Sequence, residues 1–196
     1  EDESQVQAED TVTPFTLRDF VRESNRIEGI TRPPSKVEMR EHRILLGEPV
    51  VTVGVLVNFV WHIASADLRD KPGMNVYVGN HHPIPGGPEV KRQLEALLNA
   101  ARYTSAHETH RQYEALHPFM DGNGRSGRAL WLHQMGGIEG APIGFLHAWY
   151  YSTLAIDRRG PDLSGLGVRL FESQMRTPRK VYDHPAEYVP GHEMGE

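Results

Sequence analysis

Residues 117–131 read HPFMDGNGRSGRALW, and this stretch decides the fold. Within it, GNGRSG fits the G-x-G-x-x-G pattern of dinucleotide-binding loops. A dinucleotide site needs a β-strand directly before the glycines and an acidic residue about 20 residues later, at the end of a second strand. The preceding segment, AHETHRQYEAL, has no β-branched run, and no such second strand is evident after the loop. The sequence therefore argues against a dinucleotide site, and it also lacks the GxxxxGK[ST] phosphate loop.

The glycines instead predict another way of holding phosphate. Gly122 and Gly124 allow the backbone to turn its N–H groups inward, and a helix that begins near Asn123 directs its positive end at the same point. Arg125 and Arg128 lie three residues apart, close to one face of that helix. Two guanidinium groups so placed can hold successive phosphates, which predicts a polyphosphate site.

Two neighbouring residues add chemistry to this site. Asp121 supplies one hard oxygen ligand, which suits Mg²⁺ because this ion often takes only one or two protein carboxylates beside phosphates. His117 can accept a proton at neutral pH. Each residue type is common in a structural or solvated role, and we assign Phe119 to anchoring the loop in the core. The coincidence of a base, a metal ligand, an anion nest and two arginines favours a catalytic site.

The string HPFMDGNGRSGR resembles the motif of the Fic family, HPFx[D/E]GNGRxxR, with every fixed position present. The segment VYVGNHHPIPGGPEV is similar to the flap of that family, and the resemblance covers roughly residues 16 to 160. It implies an all-α Fic fold, a helical bundle with a small β-hairpin flap. It also implies transfer of AMP from ATP to a Ser, Thr or Tyr hydroxyl of a target protein.

The resemblance further implies a role for each matched residue, with ATP and Mg²⁺ as cofactors. His117 is the expected general base that deprotonates the target hydroxyl, and Asp121 is the expected Mg²⁺ ligand. The backbone of Gly122, Asn123 and Gly124 and the side chain of Asn123 are expected to stabilise charge at the phosphates. The other assignments are assistance to the leaving phosphates by Arg125, γ-phosphate binding by Arg128, and adenine contact by Tyr151.

The segment ESNRIEGI is similar to the inhibitory motif of the family, [S/T]xxxE[G/N], with Ser24 and Glu28 at its defining positions. By this resemblance Glu28 pairs with Arg128 and denies that arginine to the γ-phosphate. Ser24 lies one helical turn earlier and can join the same polar network. We expect a self-inhibited AMP transferase, and two alternatives stay open: an enzyme that removes AMP from a modified protein, and a non-catalytic interaction domain.

The flap is expected to hold the backbone of the target protein by strand addition. The residues VYV and the following His-Pro segment offer an extended edge beside the site. Val78 and His82 are the flap residues expected to contact the target.

Helical periodicity predicts most of the remaining structure. The first helix runs from Thr16 towards Gly29, and the second, KVEMREHRILLG, ends near Gly47. Residues 50–66 alternate as in a strand, but the run is long and follows Pro49, so we predict a buried helix. Further helices are predicted in EVKRQLEALLNA, SAHETHRQYEAL, RSGRALWLHQM, HAWYYSTLAID and the region around GVRLFESQM.

These patterns divide the chain of 196 residues into four parts. We expect a flexible lead-in (1–15), the inhibitory helix (16–30), a Fic catalytic domain (31–175) and a C-terminal tail (176–196).

Composition limits the partners and the compartment. The net charge of -5 gives no basic footprint for nucleic acid, and residues 50–66 fall short of the roughly 20 apolar residues that a membrane span needs. The chain has no cysteine, which excludes disulfides and thiolate chemistry and is compatible with a reducing compartment. We expect a cytoplasmic protein with a protein target and without nucleic-acid or membrane partners; a homo-oligomer stays open.

Overall fold

The computed structural model describes residues 15–78 and 81–141. Within these ranges the chain is helical and contains no strand, so the prediction of an all-α fold is confirmed. The helices are α1 (Leu17–Ile27), α2 (Lys36–Gly47), α3 (Val53–Ala64), α4 (Pro88–Ala100), α5 (Ala106–Leu116) and α6 (Asn123–Gln134), with a 3₁₀ turn (Ala101–Tyr103) after α4.

Side-chain caps determine where four of these helices begin. A capping hydroxyl accepts a hydrogen bond from a backbone N–H of the first turn, which would otherwise lack a partner, and is worth about 1 kcal/mol. In α1 and α2 the acidic residue three positions later bonds back to the N-cap backbone, which completes a capping box. The capping residues are Thr16, Ser35, Thr52 and Ser105.

The ambiguous segment 50–66 forms helix α3, as predicted. Thr52 caps it, so Pro49 lies just outside the helix rather than in its first turn. The buried residues recur every three or four positions along one face, whereas Trp61 is exposed on another. Those buried residues are Leu56, Phe59, Val60 and Ile63.

Helix α6 lies at the centre of the described bundle. Its residues from Asn123 to Leu132 are buried almost without interruption. One apolar cluster packs α3, α4 and α5 against it, and a second cluster packs α1 and α2 against its later turns through Phe20, Val21 and Trp131. The start of α6 is therefore fixed from several sides.

The flap lies between α3 and α4 and is reduced to one antiparallel bridge within the described residues. The N–H of Val78 donates to the carbonyl of His81 at 3.0 Å, and the N–H of His81 donates back at 2.9 Å. A second isolated bridge joins Leu68, at the base of the flap, to Phe119 in the motif. Where the hairpin was predicted, the described residues show this single bridge and no longer ladder.

Several predictions from the sequence lie outside the described residues. These are Tyr151, the helices predicted in HAWYYSTLAID and around GVRLFESQM, the C-terminal tail, and nearly all of the lead-in. None of the helices in the described ranges has the length and apolar character needed to cross a membrane.

Candidate active site

The site is built around the turn that starts α6. Gly122 is the N-cap and adopts the left-handed conformation, with φ of 77°. A Cβ at this position would also lie 2.8 Å from the Cβ of Ala64, so both conformation and space favour glycine. The first-turn N–H groups of a helix have no intrahelical partners and carry its positive end. The turn therefore presents an anion-binding position.

Asn123 holds the shape of this loop through its side chain. Its Oδ1 accepts from the N–H of Phe119 at 2.8 Å, and its Nδ2 donates to the carbonyl of Phe119 at 2.8 Å. Phe119 is fully buried, which confirms its anchoring role. Both polar atoms of the Asn123 side chain are therefore engaged within the loop. The group that Asn123 can still offer to an anion is its backbone N–H.

Asp121 stands at the exposed edge of the same loop, where its Oδ1 accepts from the N–H of Gly122 at 2.6 Å. In residues 15–78 and 81–141, no three His, Asp or Glu side chains converge as a metal cluster. A metal bound here would depend on Asp121 and on substrate oxygens, and Mg²⁺ accepts that coordination. The residues present thus fit the expected ion.

His117 is the C-cap of α5 and is half-buried in a left-handed conformation, with φ of 48°. Burial and then the nearby charge of Arg69 lower the pKa of His117 to about 4. Both disfavour the charged imidazolium, so the ring is neutral at pH 7. A neutral imidazole is the protonation state that a general base requires.

The two motif arginines contact different neighbours. Arg125 donates from Nη1 to the carbonyl of Ile63 at 2.7 Å, near the C-terminus of α3. Arg128 reaches α1 instead: its Nε donates to Oγ of Ser24 at 2.9 Å, and its Nη2 donates to Oε1 of Glu28 at 2.6 Å. The predicted contact of Ser24 and Glu28 with Arg128 is present.

The Glu28 carboxylate also lies against the start of α6. A Cβ built on Gly124 would collide with this carboxylate, so only glycine permits the observed approach. Glu28 therefore places a negative charge beside the same helix N-terminus that would attract a phosphate. Its side chain retains 38% exposure, whereas that of Arg128 retains 1%.

Helix α1 is fastened to α2 by a buried polar contact that the sequence did not reveal. Nδ2 of Asn25 donates to Oε1 of Glu38 at 2.9 Å, and Arg32 forms an ion pair with the same carboxylate at 2.6 Å. Burial opposes ionisation of Glu38, but hydrogen bonds from Arg32, Ser35 and Asn25 outweigh it and lower the pKa of Glu38 to about 2. Glu38 is thus a charged anchor for α1.

The flap is tied to the end of α5, close to His117. The Nε2 of His81 bonds the carbonyl of Ala115 at 2.7 Å. The backbone groups of Val78 are paired with His81, so a target strand would have to use the adjacent edge at Tyr77. The Tyr77 ring is 72% exposed and meets the exposed His82 edge-on, with 5.2 Å between ring centroids.

Arg69 is a buried site residue that sequence reasoning missed. Its side chain has no exposed surface and bonds four backbone carbonyls, two in the flap and two beside the motif. In ADLRDKPG it reads as a solvated loop charge, and no local pattern indicates these distant partners.

Comparison with known proteins gives a family for this arrangement. The Fic/DOC family model matches residues 56–135, from α3 to just beyond α6. A search of curated proteins found no significant match to the chain. The matched residues include the complete motif and the flap, whereas α1 and α2 lie outside the match. Residues 56–135 of this chain therefore form a Fic domain.

Proposed function

We propose that this chain is a protein adenylyltransferase that transfers AMP from ATP to a Ser, Thr or Tyr hydroxyl of a target protein. The supporting observation is the arrangement at the start of α6, where neutral His117, the exposed Asp121 carboxylate and the first-turn backbone meet at one loop. The flap beside this loop offers a place for the target backbone.

In the proposed reaction the neutral imidazole of His117 accepts the proton of the target hydroxyl. The hydroxyl oxygen then bonds the α-phosphorus of ATP, while the bond from that phosphorus to the pyrophosphate oxygen breaks. Backbone N–H groups at the start of α6 stabilise the charge that develops on the phosphates. When bound by Asp121, Mg²⁺ would neutralise phosphate charge.

We further propose that Glu28 restrains this activity. Its carboxylate occupies Arg128 at 2.6 Å and lies against Gly124, so it competes with the γ-phosphate for both the arginine and the helix N-terminus. A hydrogen bond between charged groups is worth about 1.5–3 kcal/mol, and partial exposure of Glu28 places this one towards the lower end. Loss of this hydrogen bond corresponds to an increase of about 10- to 100-fold in the population of the reactive pose of ATP.

Removal of AMP from a modified protein is the second candidate, and one observation favours it. Glu28 is near enough to His117 to raise its pKa, although burial and Arg69 outweigh this contribution. A carboxylate that lies against the anion site and acts on the base can orient a water molecule towards a phosphodiester. Removal of AMP would require Glu28, whereas Glu28 inhibits the transfer of AMP in the first proposal.

One assay separates these functions. The wild-type protein, Glu28→Gly and Glu28→Gln are incubated with α-labelled ATP, Mg²⁺ and a lysate, and label on protein is measured. Restrained transfer predicts more label with both variants, about 10- to 100-fold for Gly. Glu23→Gln is the matched control, because Glu23 lies on the same helix and its ion pairs in the described residues are with the exposed Arg22 and Arg26.

The complementary assay starts from labelled target. Loss of label with wild type but not with Glu28→Gln would establish AMP removal. If neither transfer nor removal of AMP is found, and all variants have native melting temperatures, then the remaining interpretation is a non-catalytic interaction domain.

A further inference from the structure

Arg69 lies in the loop after α3 and joins two segments that are far apart in sequence. Its Nε donates to the carbonyl of His117 at 2.7 Å, and its Nη2 donates to that of Leu116 at 2.9 Å. Its Nη1 donates to Met74 at 3.2 Å and to Ile84 at 3.0 Å, on the two arms of the flap. One rigid guanidinium fork therefore holds both segments.

The backbone of Arg69 repeats this connection. Its N–H donates to the carbonyl of Pro118 at 2.9 Å, and its own carbonyl accepts from the N–H of Gly87 at 2.9 Å. The side chain and the main chain thus each contact the motif and the flap. A single residue sets the position of the flap relative to the loop that carries His117.

The burial of this charge has a physical explanation. Within the described ranges, no carboxylate lies within ion-pair distance of Arg69. Its partners Leu116 and His117 stand at the C-terminus of α5, where helix carbonyls lack intrahelical partners and carry partial negative charge. The guanidinium complements that end of the helix, which offsets part of its desolvation.

His117 needs such support because of its backbone. A non-glycine residue with φ of 48° is in a sparsely populated region, which persists when the surroundings hold it. Arg69 bonds the carbonyls of Leu116, His117 and Pro118 in succession. These bonds fix the direction in which the imidazole leaves the chain.

We propose that Arg69 is a positioning residue that holds the flap and His117 in register, so that a target hydroxyl bound by the flap meets the base. This inference rests on the proposed transfer for its kinetic consequence, but the coupling of the two segments can be measured without it. The required precision is high, since a misplacement of about 1 Å can reduce a rate by about 100-fold.

The test uses the full chain with Arg69→Lys, Arg69→Met and the control Asn75→Ala. A lysine keeps the charge but cannot reproduce the fork, and methionine removes both. Asn75→Ala removes the bond from the N–H of Gly86 to Oδ1 of Asn75, which lies within the flap alone. Amide exchange by NMR should quicken in the flap and at Leu116, His117 and Phe119 for both Arg69 variants, but only in the flap for Asn75→Ala.

Histidine ring titration by NMR gives a second readout. The charged or titratable side chains that act on the pKa of His117 are those of Arg69, His81 and Glu28. Loss of the Arg69 charge favours the imidazolium, so the pKa of His117 should rise from about 4 in Arg69→Met and stay near that value in Arg69→Lys. In the Glu28→Gly background, transfer at saturating ATP should fall about 10- to 100-fold in both Arg69 variants.

Unchanged exchange in both Arg69 variants and an unchanged His117 titration in Arg69→Met, with native melting temperatures, would overturn the inference. So would effects confined to the flap. If Arg69→Met does not fold, Arg69→Lys alone decides through exchange at Leu116, His117 and Phe119. Absence of AMP transfer in every variant would count against the proposed function, while the NMR measurements would still decide the role of Arg69.

Discussion

Arg125 and Arg128 lie on the same helix and are both buried, yet different parts of the chain hold them. Arg125 bonds Ile63, which lies inside the residues matched by the Fic/DOC model. Arg128 bonds Ser24 and Glu28, on a helix outside that match. The first motif arginine is therefore held by a contact inside the matched domain, whereas the second is held by a helix outside it.

Helix α1 is packed more tightly at its start than at its end. Phe20 and Val21 are fully buried near the start of α1, and burying each such side chain stabilises by about 1.5–3 kcal/mol. Glu28 stands beyond the last turn, is partly exposed and precedes Gly29, whose φ is 75°. The contact of Glu28 with Arg128 is thus more exposed to solvent than the packing at the start of α1. The proposed restraint therefore rests on two attachments of different strength, the docking of α1 and the contact of Glu28 with Arg128, and the following predictions test this difference between the two regions.

The largest effect is expected at the base. His117→Ala in the Glu28→Gly background should lower AMP transfer by about 10²- to 10⁴-fold, since this is the usual contribution of general acid–base catalysis. ATP binding, measured by calorimetry, should stay within a few fold because no phosphate contact is removed. Full transfer by this variant would reject His117 as the base.

The next effect concerns Arg128 itself. Arg128→Ala added to Glu28→Gly should cancel the gain of about 10- to 100-fold, because the γ-phosphate then has no guanidinium to recover. Arg128 is buried, so the melting temperature is checked, and Arg128→Lys provides a milder variant. A double variant that keeps the full gain would show that Glu28 acts elsewhere than through this arginine.

A smaller effect is expected at Asp121. Asp121→Asn should raise the Mg²⁺ concentration needed for half-maximal transfer by about tenfold, because the neutral amide is a weaker ligand for a hard cation. The exposed position of Asp121 predicts little change in folding stability. An unchanged Mg²⁺ titration would reject this carboxylate as the ligand.

Sequence reasoning predicted the helices and the motif where the signal was local. The spacing of apolar residues predicted α1, and start and stop signals predicted α2. The length of the run after Pro49 predicted α3 despite its strand-like alternation, and the glycine loop predicted the start of α6 near Asn123. The pairing of Glu28 with Arg128, a hundred residues apart, was predicted only through resemblance to a family motif. Such a contact depends on how α1 packs, which no local pattern contains.

The contacts that sequence reasoning missed have no local signature. Arg69 and Asn25 are polar residues in polar segments, and their partners lie many residues away. The side chain of Asn123 was expected at the phosphates, but hydrogen bonds to Phe119 four residues earlier engage it in the loop. Polar side chains can serve several partners, so residue type alone does not determine which one the fold supplies.

The smallest predicted effect tests the anchor of α1 rather than Glu28. Asn25→Ala removes the bond to Glu38, which still keeps Arg32 and Ser35 as donors. Docking of α1 should weaken modestly, because α1 keeps its apolar contacts and Glu38 its other donors. We therefore expect transfer to rise by a few fold and the melting temperature to fall by a few degrees.

The pH of the assay does not disturb this comparison. The pKa of Glu38 is lowered from 4.5 to about 2 in the folded protein, so its stabilisation is present above pH 4.5 and is lost as the pH falls towards 2. At pH 7 the anchor is fully charged in wild type. Glu23→Ala, on the same helix and paired there with the exposed Arg26, is the control and should change neither quantity measurably. If Asn25→Ala lowers the melting temperature without raising transfer, then the restraint depends on the local contact of Glu28 with Arg128 and not on how firmly α1 is docked.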